Sequence, residues 1–295
     1  MTGRLKVALV AATAATGLLG IAAGAPAGSV PTCLGEKATI VGTEGDDLLA
    51  GTSGDDVIVA LGGNDVINAH DGDDLVCGGD GNDRVDAGDG LFAGIDGGAG
   101  DDWIDGGDTA IAIAIFEDSP GPVAVDLTTR TASGDGTDTL ANVNSVVGSE
   151  FDDVIAGDAR MNLISGEDGN DTIKGGGGSD LVSGDAGNDT IDGGPGRDVA
   201  MYYDSPTGVV VNLGTGKAVG WGTDTLSHFE DVDGSKHADR LLGTNGANRL
   251  EGEGGADRLV GLGAGDVLNG NGGRDYADGG RGRDRCSAER RIRCP

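Results

Sequence analysis

Aspartate recurs every nine residues over most of this 295-residue chain. Read in nines from Gly42, the sixth position is Asp in sixteen of nineteen repeats, the fourth is Gly in fifteen, and the eighth is Leu, Ile or Val in sixteen. Chance composition does not hold three residue types in one frame so often. Carboxylates are hard oxygen donors, so regular rows of them predict binding of a hard cation.

The nonapeptide itself predicts how these aspartates are positioned. Glycine in the first six residues permits a tight turn, and the last three residues read polar, apolar, polar, as in a short strand with one buried residue. Two repeats complete one flattened coil, so turns eighteen residues apart stack on the same side. Stacked strands are about 4.8 Å apart, and aspartates at that spacing repel each other unless a cation separates them.

Calcium suits this arrangement best among the common metal ions. It accepts six to eight oxygens, whereas magnesium demands tighter octahedral geometry and zinc prefers His or Cys, which the repeats hardly supply. We therefore predict on the order of ten calcium ions, each bound weakly. The candidate ligands are the sixteen sixth-position aspartates: Asp47, Asp56, Asp65, Asp74, Asp83, Asp102, Asp153, Asp171, Asp180, Asp189, Asp198, Asp239, Asp257, Asp266, Asp275 and Asp284.

The repeats also resemble a known family. GGDGNDRVD from Gly78, GGAGDDWID from Gly97 and GEDGNDTIK from Gly166 are similar to the RTX, or haemolysin-type calcium-binding, nonapeptide. The resemblance implies an all-β fold, a right-handed parallel β-roll, with calcium held between stacked turns by the sixth-position Asp and backbone carbonyls. The same-side pairs that it implies are 47/65, 56/74, 65/83, 83/102, 153/171, 171/189, 180/198, 239/257, 257/275 and 266/284.

Some repeats depart from this pattern. The sixth-position Asp is replaced by Phe92, Asn162 and Asn248. Blocks two and three should begin with weaker sites, because the fourth-position glycine is absent from several of their repeats. The replacing residues are Phe151, Arg160, His237 and Ala264, while Leu61 and His70 replace glycine at position two.

A second periodicity sets the domain organisation. Residues 123–149 align without gaps to residues 209–235, so a connector followed by six nonapeptides occurs twice behind a first block of seven. The connectors read as β-strands that continue the solenoid as wider coils. The predicted segments are a signal peptide (1–27), an N-terminal cap (28–41), block one (42–108), a connector (109–147), block two (148–201), a connector (202–233), block three (234–287) and a C-terminal cap (288–295).

Charge and cysteine content limit the function classes. The net charge of −30 argues against nucleic acid and anionic lipid as partners. The lack of a long apolar segment after residue 27 argues against membrane insertion, and the signal peptide predicts secretion. Four cysteines in an exported chain predict two disulfides; three pairings are possible, and local closure favours Cys33–Cys77 and Cys286–Cys294. The sixteen aliphatic side chains at position eight bury too little apolar surface to offset the conformational entropy that is lost when the repeats become ordered. Calcium binding should therefore drive folding.

Three function classes are compatible with this pattern. The first is a secreted calcium-binding structural or binding module that is not an enzyme. The second is a calcium-dependent hydrolase or polysaccharide-modifying enzyme, for which only Glu117, Glu230 and Asp231 offer catalytic groups outside the repeats. The third is an adhesin or matrix component, for which cell-surface or matrix polymers are candidate partners.

Overall fold

Each nonapeptide folds as a turn followed by a short strand, because the glycine-rich first half cannot extend and the second half buries one aliphatic side chain. The computed structural model describes residues 30–294, which contain β-strands and no helix. Among the described residues, none forms a helix long and apolar enough to cross a membrane. The chain divides into two compact units, here residues 30–150 and 151–294. The predicted signal peptide lies outside the described residues.

The first unit, residues 30–150, winds between two parallel sheets. One sheet has the order β3-β5-β7-β9-β11-β15, and the other has the order β4-β6-β8-β10-β14. Its strands are β1 (Thr32–Cys33), β2 (Glu36–Lys37), β3 (Ile40–Val41), β4 (Leu48–Ala50), β5 (Val57–Val59), β6 (Val66–Asn68), β7 (Asp74–Asp80), β8 (Arg84–Asp86), β9 (Phe92–Ala99), β10 (Trp103–Asp105), β11 (Ile111–Ile115), β12 (Ala124–Asp126), β13 (Thr131–Ser133), β14 (Thr137–Ala141) and β15 (Ser145–Val147).

The second unit, residues 151–294, repeats this architecture. Its first sheet has the order β17-β19-β21-β25-β27-β30-β33, and its second sheet contains two parallel runs, β16-β18-β20-β24 and β22-β26-β29-β32-β34. Its strands are β16 (Val154–Ala156), β17 (Leu163–Ser165), β18 (Thr172–Lys174), β19 (Leu181–Ser183), β20 (Thr190–Asp192), β21 (Val199–Met201), β22 (Val210–Asn212), β23 (Lys217–Val219), β24 (Thr223–Ser227), β25 (Asp231–Asp233), β26 (Arg240–Leu242), β27 (Arg249–Glu251), β28 (Gly254–Gly255), β29 (Arg258–Val260), β30 (Val267–Asn269), β31 (Gly272–Gly273), β32 (Tyr276–Asp278), β33 (Arg285–Ser287) and β34 (Arg290–Ile292).

The register confirms the predicted coil of two nonapeptides. Leu49 pairs with Ile67, and Ile155 pairs with Ile173, each eighteen residues on. The parallel β-roll is therefore confirmed within each unit. The eighth-position aliphatics form the core: all sixteen predicted inward residues are at most 2% exposed except Leu49, which lies on the edge strand β4 and is half-buried.

The connectors contain antiparallel hairpins within the solenoid. In the first unit, β12 and β13 pair antiparallel, and β13 pairs antiparallel with β14 before β14 rejoins the parallel sheet against β10. The second unit has the same arrangement in β22, β23 and β24. Alternate residues of the connectors face the core, since Val123, Val125 and Val211 are buried and Leu213 is half-buried.

Disulfides link strands near both ends of the described chain. Cys33, in the short β1–β2 hairpin, is bonded to Cys77 on β7, and Cys286 on β33 is bonded to Cys294 after β34. The pairing favoured from sequence is therefore confirmed. The hairpin also covers apolar side chains on the outside of the first sheet, where Cys33, Val59 and Leu75 form a small buried cluster.

Candidate functional site

The sixth-position aspartates form hydrogen-bonded rows along the stacked turns. Within a row, the backbone N–H of one aspartate donates to the Oδ1 of the aspartate in the next turn, as from Asp56 to Asp74 and from Asp65 to Asp83, both at 2.8 Å. The structure brings together all ten same-side pairs named above in this way, with N···Oδ1 distances of 2.7–3.0 Å. Most of these side chains are almost fully buried.

The second carboxylate oxygen of most of these aspartates has no partner. Buried polar atoms in proteins are nearly always hydrogen-bonded, and an unpaired carboxylate oxygen is especially costly. A row of such atoms therefore indicates that a cation belongs beside them. The buried Oδ2 atoms without a partner belong to Asp65, Asp74, Asp83, Asp102, Asp171, Asp180, Asp189, Asp198, Asp257, Asp266 and Asp284.

A buried Oδ2 without a partner occurs only together with a left-handed backbone at position two of the same repeat. In every repeat with a free Oδ2, the position-two residue has a positive φ, for example 80° at Leu61, 69° at His70 and 67° at Glu167. We call these open turns. Leu61 and His70, which depart from the consensus glycine, nevertheless adopt the left-handed conformation that glycine would take.

Several of the other repeats form what we call closed turns. There the position-two residue has no positive φ, and its N–H donates to the sixth-position side chain of the same repeat: Thr43 to Asp47, Thr52 to Asp56 and Ser235 to Asp239, each at 2.6 Å from Oδ2. These oxygens are satisfied without a metal. Asp47, Asp56 and Asp239 therefore remain predicted ligands with weaker support than the open-turn aspartates.

The two asparagines at position six also lie in closed turns. Asn162 Oδ1 accepts from the Asp158 N–H at 2.8 Å, and Asn248 Oδ1 accepts from the Thr244 N–H at 2.6 Å. The amide thus fits a place where no cation is needed. Closed turns therefore lie at the start of blocks two and three, as they do at the start of block one.

Burial in like-charged rows raises the pKa values of most of the open-turn carboxyls. Desolvation is the largest cause, neighbouring carboxylates add to it, and the accepted N–H bond opposes it. Protons therefore compete with cations for these sites near neutral pH. The pKa is about 8 for Asp171, about 7 for Asp74, Asp102, Asp189 and Asp257, and about 6 for Asp83 and Asp180.

The donor set fits calcium. Among residues 30–294, no three His, Cys, Asp or Glu side chains converge in the manner of a side-chain metal cage. Each turn supplies one carboxylate, so an ion between turns would take its other ligands from backbone carbonyls and water, which calcium accepts readily. When bound, calcium would supply the positive charge that the buried Oδ2 atoms lack.

Comparison with known protein families gives an independent assignment. The model of the RTX calcium-binding nonapeptide repeat matches more than half of the chain. The chain belongs to this family. It is therefore a calcium-binding repeat protein. The matched segments are residues 41–76, 62–90, 95–110, 147–182, 165–200, 233–268 and 255–286. A comparison with curated proteins found no match.

The RTX rows extend beyond the nonapeptides into the connectors. Asp138 accepts the Asp102 N–H at 3.1 Å, and Asp224 accepts the Asp189 N–H at 3.3 Å as well as the Tyr202 hydroxyl at 2.9 Å. Sequence reasoning did not assign either aspartate. The signal was present, because both belong to the TDTL segment that recurs in the two connectors.

At two other row ends, a glutamate accepts the N–H of the last aspartate. Glu230 accepts the Asp198 N–H at 3.1 Å, and Glu289 accepts the Asp275 N–H at 2.7 Å. The sequence did not assign either carboxylate to a row, because neither lies at position six of a nonapeptide. They continue the RTX hydrogen-bond pattern where the repeat register ends.

Phe92 interrupts one RTX row for a packing reason. Its side chain packs against the buried cluster of Cys33, Val59 and Leu75 beneath the N-terminal hairpin, together with Leu34. An aspartate at this position would place a charge against apolar side chains. The departure therefore marks where the cap joins the RTX roll.

The carboxylates considered for catalysis have structural partners. Arg197 donates to both oxygens of Asp231 at 2.7 and 2.8 Å, and the Arg249 N–H donates to the same side chain at 2.7 Å. Glu230 accepts the Asp198 N–H, and Glu117 lies near the half-buried Asp96, whose pKa is raised by burial and in part by like-charge repulsion from Glu117. The bonds to Asp231 and Glu230 join neighbouring coils of the RTX fold.

Proposed function

We propose that this chain is a secreted protein that folds when it binds calcium and then serves as an extracellular structural or binding module, without enzymatic activity. The carrying observation is the series of eleven buried Oδ2 atoms with no partner. Without calcium, each is an unpaired buried acceptor, which destabilises the folded state at neutral pH. Calcium in the open turns removes this cost. The open-turn aspartates are the proposed ligands.

Folding would then follow export of the chain from the cell. Free calcium is far higher outside cells than inside, and weak sites respond to that difference. The net charge of −30 keeps the calcium-free chain expanded through self-repulsion. About ten calcium ions, the order of magnitude predicted from the rows, would neutralise most of it.

The test is calcium-dependent folding of the full chain. Far-ultraviolet circular dichroism should show little β-structure in chelator and a cooperative gain of β-signal as calcium is added to millimolar levels. Magnesium at the same concentration is the matched control and should give little change. Equilibrium dialysis of the folded sample should recover bound calcium. A spectrum already folded in chelator and unresponsive to calcium would contradict the proposal.

A further inference from the structure

Charge is distributed unevenly between the repeat blocks. Block one, residues 42–108, contains eighteen acidic residues and one basic residue, whereas block three, residues 234–287, contains eight of each. Five of the eight acidic residues in block three are buried sixth-position aspartates. The exposed surface of block three is therefore cationic, in a chain whose net charge is −30.

Arginines of block three and of the C-terminal cap form a line on one sheet face. The first residues of β26, β29, β32 and β34 are Arg240, Arg258, Tyr276 and Arg290, and the sheet register places them side by side. The next residues along these strands include the buried Leu241 and Leu259, so the arginines point outward. We call these four residues the arginine stripe.

The arginine stripe is held in place but not neutralised. Arg258 and Arg290 lie over the Tyr276 ring, with their guanidinium carbons 4.7 and 5.4 Å from the ring centre. Within residues 30–294, the three stripe arginines form no ion pair. The neighbouring carboxylate of Asp278 is bonded by Arg293 instead, at 2.7 Å. The stripe therefore presents unpaired guanidinium groups to solvent.

Block one carries an exposed anionic surface with the same period. Asp71 and Asp89 lie on stacked turns that are joined there by a parallel β-bridge of the backbone. The Asp73 N–H donates to Asp55 Oδ1 at 3.0 Å. All four side chains are exposed. We call them the acidic edge. Both surfaces are built on stacked β-coils, so neighbouring charges within each surface are about 4.8 Å apart. Carboxylates of one surface can therefore meet guanidinium groups of the other in register.

We propose that the arginine stripe of one molecule docks on the acidic edge of a second copy of this chain. The two surfaces differ, so the contact is heterologous, and a pair of molecules keeps one free surface of each kind. Association would therefore proceed head to tail and produce open chains, or rings where the rotation between successive molecules closes. The contact uses none of the open-turn aspartates and depends on the proposed function only through calcium-dependent folding.

The experiment is sedimentation velocity of the full chain in millimolar calcium, over a wide range of protein concentration and at two salt concentrations. The wild-type chain should form concentration-dependent species larger than a monomer, and these should weaken at high salt. The stripe variant, with Arg240→Glu, Arg258→Glu and Arg290→Glu, should weaken association by about tenfold or more. The matched control, with Arg274→Glu, Arg281→Glu and Arg283→Glu, changes the charge equally on exposed turns away from the stripe and should associate like the wild type.

A charge-swap mixture completes the test. The edge variant, with Asp55→Lys, Asp71→Lys, Asp73→Lys and Asp89→Lys, should also fail to self-associate, and mixing it with the stripe variant should restore association. A monomeric wild-type chain, equal losses in stripe and control variants, or no recovery on mixing would each overturn the proposal. Circular dichroism of every sample in calcium reports on folding, so failure of the proposed function would be recognised separately.

Discussion

At the scale of single residues, one carboxylate has two oxygens with different tasks. In an open turn, Oδ1 of Asp171 accepts the Asp153 N–H at 2.8 Å and so joins stacked turns, while its buried Oδ2 has no protein partner. The first contact holds the row together and the second leaves a place for a cation. Removing the charge while keeping an acceptor separates these two tasks.

We therefore expect Asp171→Asn to reduce the number of bound calcium ions while leaving the remaining rows in place. The amide can still accept the Asp153 N–H but supplies no charge for the ion. Calcium stoichiometry by equilibrium dialysis measures the effect. The matched control is Asp168→Asn, which changes an exposed aspartate in the same repeat. Equal stoichiometry in the two variants would argue against Asp171 as a ligand.

The sequence predicted where the aspartates lie but not which turns are open. That distinction depends on φ at position two, where Thr43, Thr52 and Thr244 avoid the left-handed region. A β-branched residue is rarely stable at positive φ, so threonine closes the turn and donates its N–H inward. The closed turns in block one went unrecognised, because Gly45 and Gly54 match the consensus at position four.

At the scale of elements, the repeats were predictable and the insertions between them were not. A nonapeptide strand needs only one inward aliphatic and its stacked neighbour, and both follow from the period. The hairpin strands β12 and β13 alternate buried and exposed residues in the same way as a parallel strand does, so periodicity does not reveal their direction. The turn at Arg130, with φ of 62°, reverses the chain there.

Phe92 allows a test at this scale, because the consensus aspartate should make the protein less stable than phenylalanine does at this position. Phe92→Asp restores the family pattern but places a charge in the cluster beneath the N-terminal hairpin. We expect it to destabilise the calcium-loaded first unit by about 2 kcal/mol or more, seen as a lower melting temperature. Phe92→Leu keeps the site apolar and should cost less. If Phe92→Asp were the more stable variant, calcium binding rather than packing would dominate this position.

At the scale of the whole molecule, calcium and protons should substitute for each other. Burial raises the pKa of Asp171 to about 8 and that of Asp74 to about 7, above the value of 3.8 for an exposed aspartate. Without calcium, the folded chain therefore holds more protons than the unfolded chain between these values. Folding is then favoured most at low pH, and that stability is lost as pH rises through about 6–8.

We accordingly expect the chain in chelator to gain β-structure when pH falls from 8 to 5, whereas the calcium-loaded chain should bind calcium more weakly over the same change, because protons occupy the carboxylates. Circular dichroism in chelator and calcium titration at both pH values measure the two opposite trends. Sodium chloride at pH 8 is the control, since it screens the exposed charges but cannot occupy a buried Oδ2. If salt restored the fold as well as acid did, general self-repulsion would keep the calcium-free chain unfolded. A chelated chain equally unfolded at both pH values would mean that protons cannot replace calcium, and that the rows require a ligand able to bridge two turns.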